Sequence, residues 1–435
     1  VNICCAWFDE KDADATQIGD GATFRETHKK FVARRALMLA EKERLHFGRI
    51  ASISSPSSAI QDVIESVAQT VHEQMLKLHQ AHRQQHESGK TVSLGLVRFA
   101  NINSLVAVAK ALITIPSPED VCIHYCVYHS RHPLAVRSNI EKRLDRAFTR
   151  HREDDFWKNE DIAEALHKSP ESHHIFVVLG TSVIEVGRDW DADWGIIEPS
   201  SMRSIIQFAG RIQRHRRNVP TSENLVILRS NIKALQKKCP AFCKPGFETK
   251  DRVLNSHDIC ELIPLTDYRT INALPRILPA NNENKLAELE HSRLFTELMS
   301  SKSKHVVAAQ WWRAPLSWNG WMQRQTPFRY SSLPEAVFFL HMDDEESKAS
   351  FYSRMGDNER KEQGNFKREE VICASGVACW GMMDYQQVLL DLAVEHSCEI
   401  NRVGERFAEV RVPVCDEDAL NGWHYHPWLG VFRTP

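Results

Sequence analysis

Apolar residues recur along this chain with two different periods. Ile60, Val63, Ile64, Val67, Val71 and Leu78 fall three or four residues apart, which predicts a long amphipathic helix, with Ser58 and Gln61 as a capping box at its start. Beyond it the apolar positions gather into short runs at 94–99, 121–128, 175–179, 194–197 and 225–228, the length and composition of buried strands. Segments with helical spacing lie between them, at 104–112, 134–150, 161–167 and 204–213. Strand–helix–strand alternation predicts an α/β fold with a parallel sheet and helices on both faces. Ligands of such sheets sit outside the carboxyl ends of the strands, so chemistry should follow each run.

The flanks read differently. Residues 8–56 are polar and mixed, with a basic helical stretch near 27–44 and no motif. The chain opens at Val1, inside an apolar stretch reaching Phe8, which reads as an internal strand of a longer polypeptide. Alternation ends after Arg229, and polar, Pro-containing sequence runs to about Asn284. Tryptophans then accumulate: Trp311, Trp312, Trp318, Trp321, Trp380, Trp423 and Trp428. Three spans are expected: 1–58 as a linker or the end of a preceding domain, 59–270 as the α/β domain, and 285–435 as an α+β or mainly helical accessory domain.

Composition narrows the class only a little. Of 435 residues, 42 % are hydrophobic and 26 % charged, as in ordinary globular domains. A net charge of −2 means that any nucleic-acid site must be a local basic patch. Eleven scattered cysteines, an odd number, suggest reduced thiols and a cytoplasmic location. No apolar run is long enough to span a bilayer.

Three segments at strand ends carry the chemistry. Gln207, Gly210, Arg211 and Arg214 have the spacing Q-x-x-G-R-x-x-R. On a helix Gln207, Arg211 and Arg214 would share a face, and two guanidiniums there would fork around phosphate oxygens. Upstream, the strand at 175–179 runs into Gly180 and Thr181, followed by Glu185, Gly187 and Asp189. A small residue and a hydroxyl at a strand end let backbone approach a phosphate closely. The strand at 94–99 likewise enters a polar turn at Asn101.

The order T-x-x-x-E-x-G-x-D, then Q-x-x-G-R-x-x-R, resembles motifs V and VI of superfamily 2 helicases, with 96–101 in the place of motif IV. Tyr128-His-Ser-Arg-His-Pro resembles the signature that follows the second strand in CRISPR-associated helicases. The runs 186–194 and 198–207, Trp311-Trp312, Thr326-Pro-Phe-Arg329 and the ending His426-Pro-Trp-Leu-Gly430 resemble the type I-F branch of the CRISPR-associated helicase–nucleases.

That resemblance implies a second RecA-like motor domain of an ATP-dependent single-stranded-DNA translocase whose nuclease, of HD type, destroys invading DNA. Arg211 and Arg214 would be arginine fingers, and Gln207, Gly187 and Asp189 would lie at the nucleotide. Arg98, Asn101, His129, Arg131, Thr181 and Arg203 would contact DNA. The cofactors implied are ATP with Mg²⁺, bound mainly by a first motor domain, and a divalent transition metal for the nuclease. The partners implied are single-stranded DNA, the crRNA-guided Cascade complex of type I-F and the CRISPR integrase. One departure from the helicase pattern is Gly180, where alanine is usual; no functional loss is expected from it.

Other features are decoys. Gly89-Lys90-Thr91 mimics a phosphate loop, but Gln84 stands where its first glycine belongs, so a polar turn is expected. The acidic run 343–346 lies after motif VI, and His257-Asp258 has no further metal ligands in sequence. Cys239 and Cys243 lack a partner pair, and Cys122 and Cys126 read as a buried strand face, so no metal ligand is expected in this chain. His424 and His426 are expected in a packed C-terminal hairpin, and Trp311, Trp312 and Trp380 in a core rather than as base-stacking platforms. Without a phosphate loop the chain alone should not hydrolyse ATP. The alternatives are a catalytically inactive DNA- or protein-binding subunit and another superfamily 2 helicase.

Overall fold

The computed structural model describes residues 3–8, 13–216, 218–278, 285–299, 334–355, 359–362, 366–414 and 422–434. Trp311, Trp312, Trp318, Trp321 and the run 326–329 lie outside these residues.

Among the described residues, eight strands form the large sheet: β1 (Gly48–Ala51), β2 (Gln84–Gln85), β3 (Thr91–Arg98), β4 (Val121–Tyr128), β5 (His173–Gly180), β6 (Trp194–Ile197), β7 (Leu225–Leu228) and β8 (Val377–Cys379). Their order is β8-β4-β5-β3-β6-β7-β1, and every pairing along it is parallel. Only β2 runs antiparallel, against the start of β3. This is the α/β fold with a parallel sheet that the alternation predicts. Strands β3, β6 and β7 are buried along their whole length, as expected of parallel strands covered on both faces.

Helices make the outer layers. Helix Ile60–His82 turns Val63, Ile64, Val67, Val71, Met75 and Leu78 inward and packs against helix Ile102–Leu112 on one face. Helices Leu134–Phe148 and Met202–Ala209 cover the other. The expected capping box does not form. Ala59 is the cap residue and has no side-chain bond, while the Ser57 hydroxyl accepts from the Ala59 N–H at 3.0 Å and reaches Asp62. Gly89-Lys90 is the turn between β2 and β3, and the Lys90 ammonium donates to the Leu166 carbonyl at 2.9 Å.

The sheet crosses both expected domain boundaries. β1 comes from the motif-free stretch before residue 59 and pairs with β7. β8 comes from the tryptophan-rich region and pairs in register with β4, Val377 opposite Ile123 and Cys379 opposite Tyr125. Both are short strands whose partners lie far away in sequence, so nothing local marks them.

The rest of the C-terminal region is α+β. Glu335–His341 is a central strand of a four-stranded antiparallel sheet with Ser350–Met355, Glu359–Glu362 and Glu409–Pro413. Helix Ile400–Phe407 lies on it, and Gly404 sits so close that a Cβ there would meet the Leu340 carbonyl. The acidic run 343–346 is the turn after Glu335–His341. His424 and His426 lie on a hairpin, Trp423–His426 with Gly430–Arg433. Trp380, Trp423 and Trp428 are buried. No helix among the described residues is long and apolar enough to cross a membrane.

Candidate functional site

The carboxyl ends of β3, β5 and β6 release three loops side by side. Arg98, the last residue of β3, is 1 % exposed, and its Nε donates to Glu185 in the loop after β5. A second guanidinium N–H reaches the Glu198 carbonyl at 3.1 Å, beyond β6. Glu185 also accepts from the Ser204 hydroxyl at 2.5 Å. The Glu198 carboxylate takes the backbone N–H of Ala100 at 2.6 Å and that of Ile232 at 2.8 Å, while burial raises its pKa. Two buried carboxylates thus tie all three loops to one another and to the turn after β7. A guanidinium so enclosed presents no surface to a phosphate, which corrects the expectation of a DNA contact at Arg98.

A second correction concerns the arginine pair. The helix expected over 204–213 ends at Ala209, with Gly210 as its cap, and Gln213 takes a left-handed φ of 47°. Arg211 and Arg214 therefore do not share a helix face with Gln207. They lie in the turn after it, drawn there because Ile212 bridges in parallel to Ala192. Arg211 donates from Nε to the Glu185 carbonyl at 2.9 Å and from another nitrogen to the Arg188 carbonyl. Burial, and then the neighbouring Arg214 charge, lower the Arg211 pKa.

Arg214 meets Asp189 at 2.7 Å, with side chains 42 % and 53 % exposed. His215 at 3.0 Å and His151 at 2.9 Å also reach this carboxylate. The neighbouring His215, with hydrogen bonds from Arg214 and His151, holds it well below the usual carboxylate range. The alternation continues inward. Asp191 receives Arg216 at 2.9 Å, and the fully buried Asp193 receives both Arg216 at 2.7 Å and Arg150 at 2.9 Å. Burial pushes the Asp193 carboxyl up, but Arg150 and Arg216 outweigh it and leave its pKa lowered. These roles were missed in sequence, although Asp189, Asp191 and Asp193 opposite Arg214 and Arg216 form a legible every-second-residue pattern.

The remaining expected residues sit around this edge. Gly187 turns the loop at φ 70°, and Gln207 is half-buried on the last turn of its helix. Thr181 opens the loop after β5, and Asn101 stands at the start of helix Ile102–Leu112. Arg203 pairs at 3.0 Å with the buried Glu290 of helix Leu286–Met299. At Gly180 an added Cβ would lie 2.5 Å from Ile184, so the departure from alanine has a steric cause.

Two family profiles match the chain: "CRISPR-associated nuclease/helicase Cas3, C-terminal" over residues 91–217, and "CRISPR-associated Cas3 subtype I-F/YPEST-like, C-terminal domain" over 335–433. The subtype I-F/YPEST nuclease/helicase Cas3 of Pectobacterium atrosepticum is 46 % identical over 99 % of this chain, and that of Pseudomonas aeruginosa 36 % over 99 %. This chain is a homologue of the C-terminal region of subtype I-F Cas3. It spans 40 % of the length of each of those two relatives. Among solved structures, T. fusca Cas3 with AMPPNP aligns over 44 % of this chain and 18 % of its own at 15 % identity and a TM-score of 0.29. A CRISPR RNA-guided surveillance complex, pre-nicking, aligns over 90 % and 44 % at 11 % identity and 0.37.

Two of the Cas3-like segments turn out to bind each other. His129 is fully buried, and its Nε2 donates to the Leu429 carbonyl at 2.8 Å while Nδ1 accepts from the Arg131 N–H at 3.1 Å. The Val431 N–H donates to the Arg131 carbonyl at 3.0 Å, and the Arg131 guanidinium bonds Asn103 at 2.7 Å and lies over the Trp423 ring. Gly430, at φ 69°, passes so near that a Cβ would lie 2.8 Å from the His129 ring. Trp428 donates to the Tyr125 carbonyl at 2.7 Å. The expected DNA contact at His129 is therefore corrected: this Cas3-like signature clasps the C-terminal hairpin to the sheet. His257 is engaged with Glu248 at 3.0 Å, and Asp258 with Arg229 at 2.6 Å.

Proposed function

We propose that this chain is the second motor half of an ATP-dependent single-stranded-DNA translocase and nuclease that degrades invading DNA in type I-F CRISPR interference. It would serve a nucleotide held on a phosphate loop that this sequence does not contain. The observation that carries the reading is the convergence of Arg211 and Arg214 on the loop of Asp189, at the carboxyl end of a RecA-like sheet.

The residues fit an anionic nucleotide. Arg211 is held in place by two backbone carbonyls and is destabilised by the like charge of Arg214, which an anion between them would relieve. Arg214 is held by an exposed pair worth about 0–1 kcal/mol, so it can leave Asp189 for a phosphate at little cost. Both would then oppose charge developing on a transferred phosphoryl group. ATP supplies the free energy of hydrolysis. Mg²⁺, which prefers oxygen ligands, does not fit Asp189, whose carboxylate accepts from His151 and Arg214 and has His215 beside it, so its ligands would belong to the other motor half. His257 and Asp258 are committed to Glu248 and Arg229 and do not fit a nuclease metal. Thr181, Asn101, Arg131 and Arg203 remain the strand-contact candidates. Single-stranded DNA, the type I-F Cascade complex and the CRISPR integrase are the partners this reading assigns, on the homology of the family.

Arg211→Ala in the intact protein tests it. DNA-stimulated ATPase should fall by about 10³-fold or more while DNA affinity is largely kept. Unchanged turnover would leave a binding subunit with a helicase-like fold.

A further inference from the structure

On the opposite, amino-terminal side of the sheet, Cys122 and His124 of β4 stand beside His174 of β5. Cys122 and His124 are two residues apart on one strand and so share a face, and His174 lies directly across the ladder from Cys122. Their donor atoms all lie within 4.8 Å of one another, and His124 Nε2 is 3.2 Å from His174 Nδ1. A tetrahedral zinc ion with ligands at ~2.0–2.3 Å sets donor pairs about 3.3–3.8 Å apart, so small side-chain rotations close the site.

One imidazole is already oriented. His174 Nε2 donates to the Glu171 carbonyl at 3.1 Å, which fixes its tautomer and leaves the Nδ1 lone pair facing His124. A backbone carbonyl behind a ligating imidazole is the usual way a metal-bound histidine is oriented. The His174 tautomer places the His124 proton on Nε2, in the 3.2 Å gap to His174 Nδ1, so this proton must move before a metal binds. One thiolate with two imidazoles is a ligand set suited to Zn²⁺.

We propose that Cys122, His124 and His174 form a zinc site that ties the start of β4 to the start of β5, with water as the fourth ligand. Binding forms one Zn–S and two Zn–N bonds, the Cys122 thiol gives its proton to solvent, and His124 shifts its proton to Nδ1. No electron is transferred. The site lies beside the point where β8 joins β4, so the ion reinforces the edge that receives the C-terminal region. It stands independently of the motor assignment, since none of its ligands belongs to the Arg211 edge.

The test is cobalt substitution in the purified protein after stripping with a chelator. Wild type should take up Co²⁺ with a near-ultraviolet thiolate-to-cobalt band and the visible bands of a tetrahedral ion, and one equivalent of Zn²⁺ should abolish both. Cys122→Ser should lose the near-ultraviolet band, and His174→Gln should weaken metal affinity at least ~10-fold. Zinc should raise the wild-type Tm by a few degrees and leave that of His174→Gln unmoved. Absence of a thiolate band in wild type overturns the site, and this outcome needs no variant to fold. A band of full strength in Cys122→Ser overturns it as well.

Discussion

Two arginine–carboxylate pairs stand at the same end of the sheet and differ in one respect. Arg98 and Glu185 are 1 % and 4 % exposed; Arg214 and Asp189 are 42 % and 53 % exposed. In the buried pair every partner is fixed, since Glu185 also holds Ser204 and Arg98 also holds the Glu198 carbonyl. Losing one member strands a charge where water cannot reach it. In the exposed pair either member can exchange its partner for water or an incoming anion. The charges are alike in the two, and burial separates a brace from a pair that can exchange its partner.

The largest effect expected from this comparison is on the inner pair. Glu185→Ala should destabilise the protein by about 3–5 kcal/mol, because it leaves the Arg98 guanidinium buried and unpaired. Denaturant unfolding measures this, and a loss below ~1 kcal/mol would make the two pairs equivalent.

A buried imidazole tests the same principle by pH. Burial lowers the His79 pKa from the usual 6.5 to about 3, and its Nδ1 is hydrogen-bonded with the Ser93 hydroxyl at 2.8 Å. Its folded pKa lies below its unfolded one, so the unfolded chain binds the proton first as the medium acidifies. Stability is whole above pH 6.5 and is lost from there down towards pH 3. The contribution of this one group is about 1.4 kcal/mol per pH unit. His79→Gln keeps a partner for Ser93 and should flatten the slope of unfolding free energy between pH 6.5 and 5 by that amount. An identical slope would show that His79 is protonated in the fold.

The smallest stability effect belongs to the outer pair. Arg214→Ala should change unfolding free energy by no more than ~1 kcal/mol, since its pair is exposed and screened. Under the proposed function the same variant should lose most of its DNA-stimulated ATPase in the intact protein. A large stability loss with turnover retained would reverse the contrast and make Arg214 the brace.

How much of this could be read without the fold follows a physical line. Strands β3 to β7 and the helix at Ile60–His82 were legible because burial on one or two faces imposes a repeat on nearby residues. The meeting of the loops after β5 and β6 was legible because parallel sheets deliver ligand-binding loops to one end. The end of the helix at Ala209 was not, because the following turn is set by a bridge from Ile212 to Ala192 on another strand end. The clasp between His129 and Leu429 was not either, since it joins residues 300 positions apart.

The sequence by itself determined the alternation of elements, the order of the Cas3-like motifs and the residue types gathered at the strand ends. These depend on periodicity and spacing, which are local. Only the tertiary structure decided that Arg98 and His129 are enclosed while Arg214 faces solvent, that β1 and β8 complete the sheet from beyond its expected limits, and that Cys122, His124 and His174 share one face. Each of these depends on which distant segment covers a side chain. That covering sets the local dielectric, and with it whether a charged group braces the fold or remains free to exchange its partner.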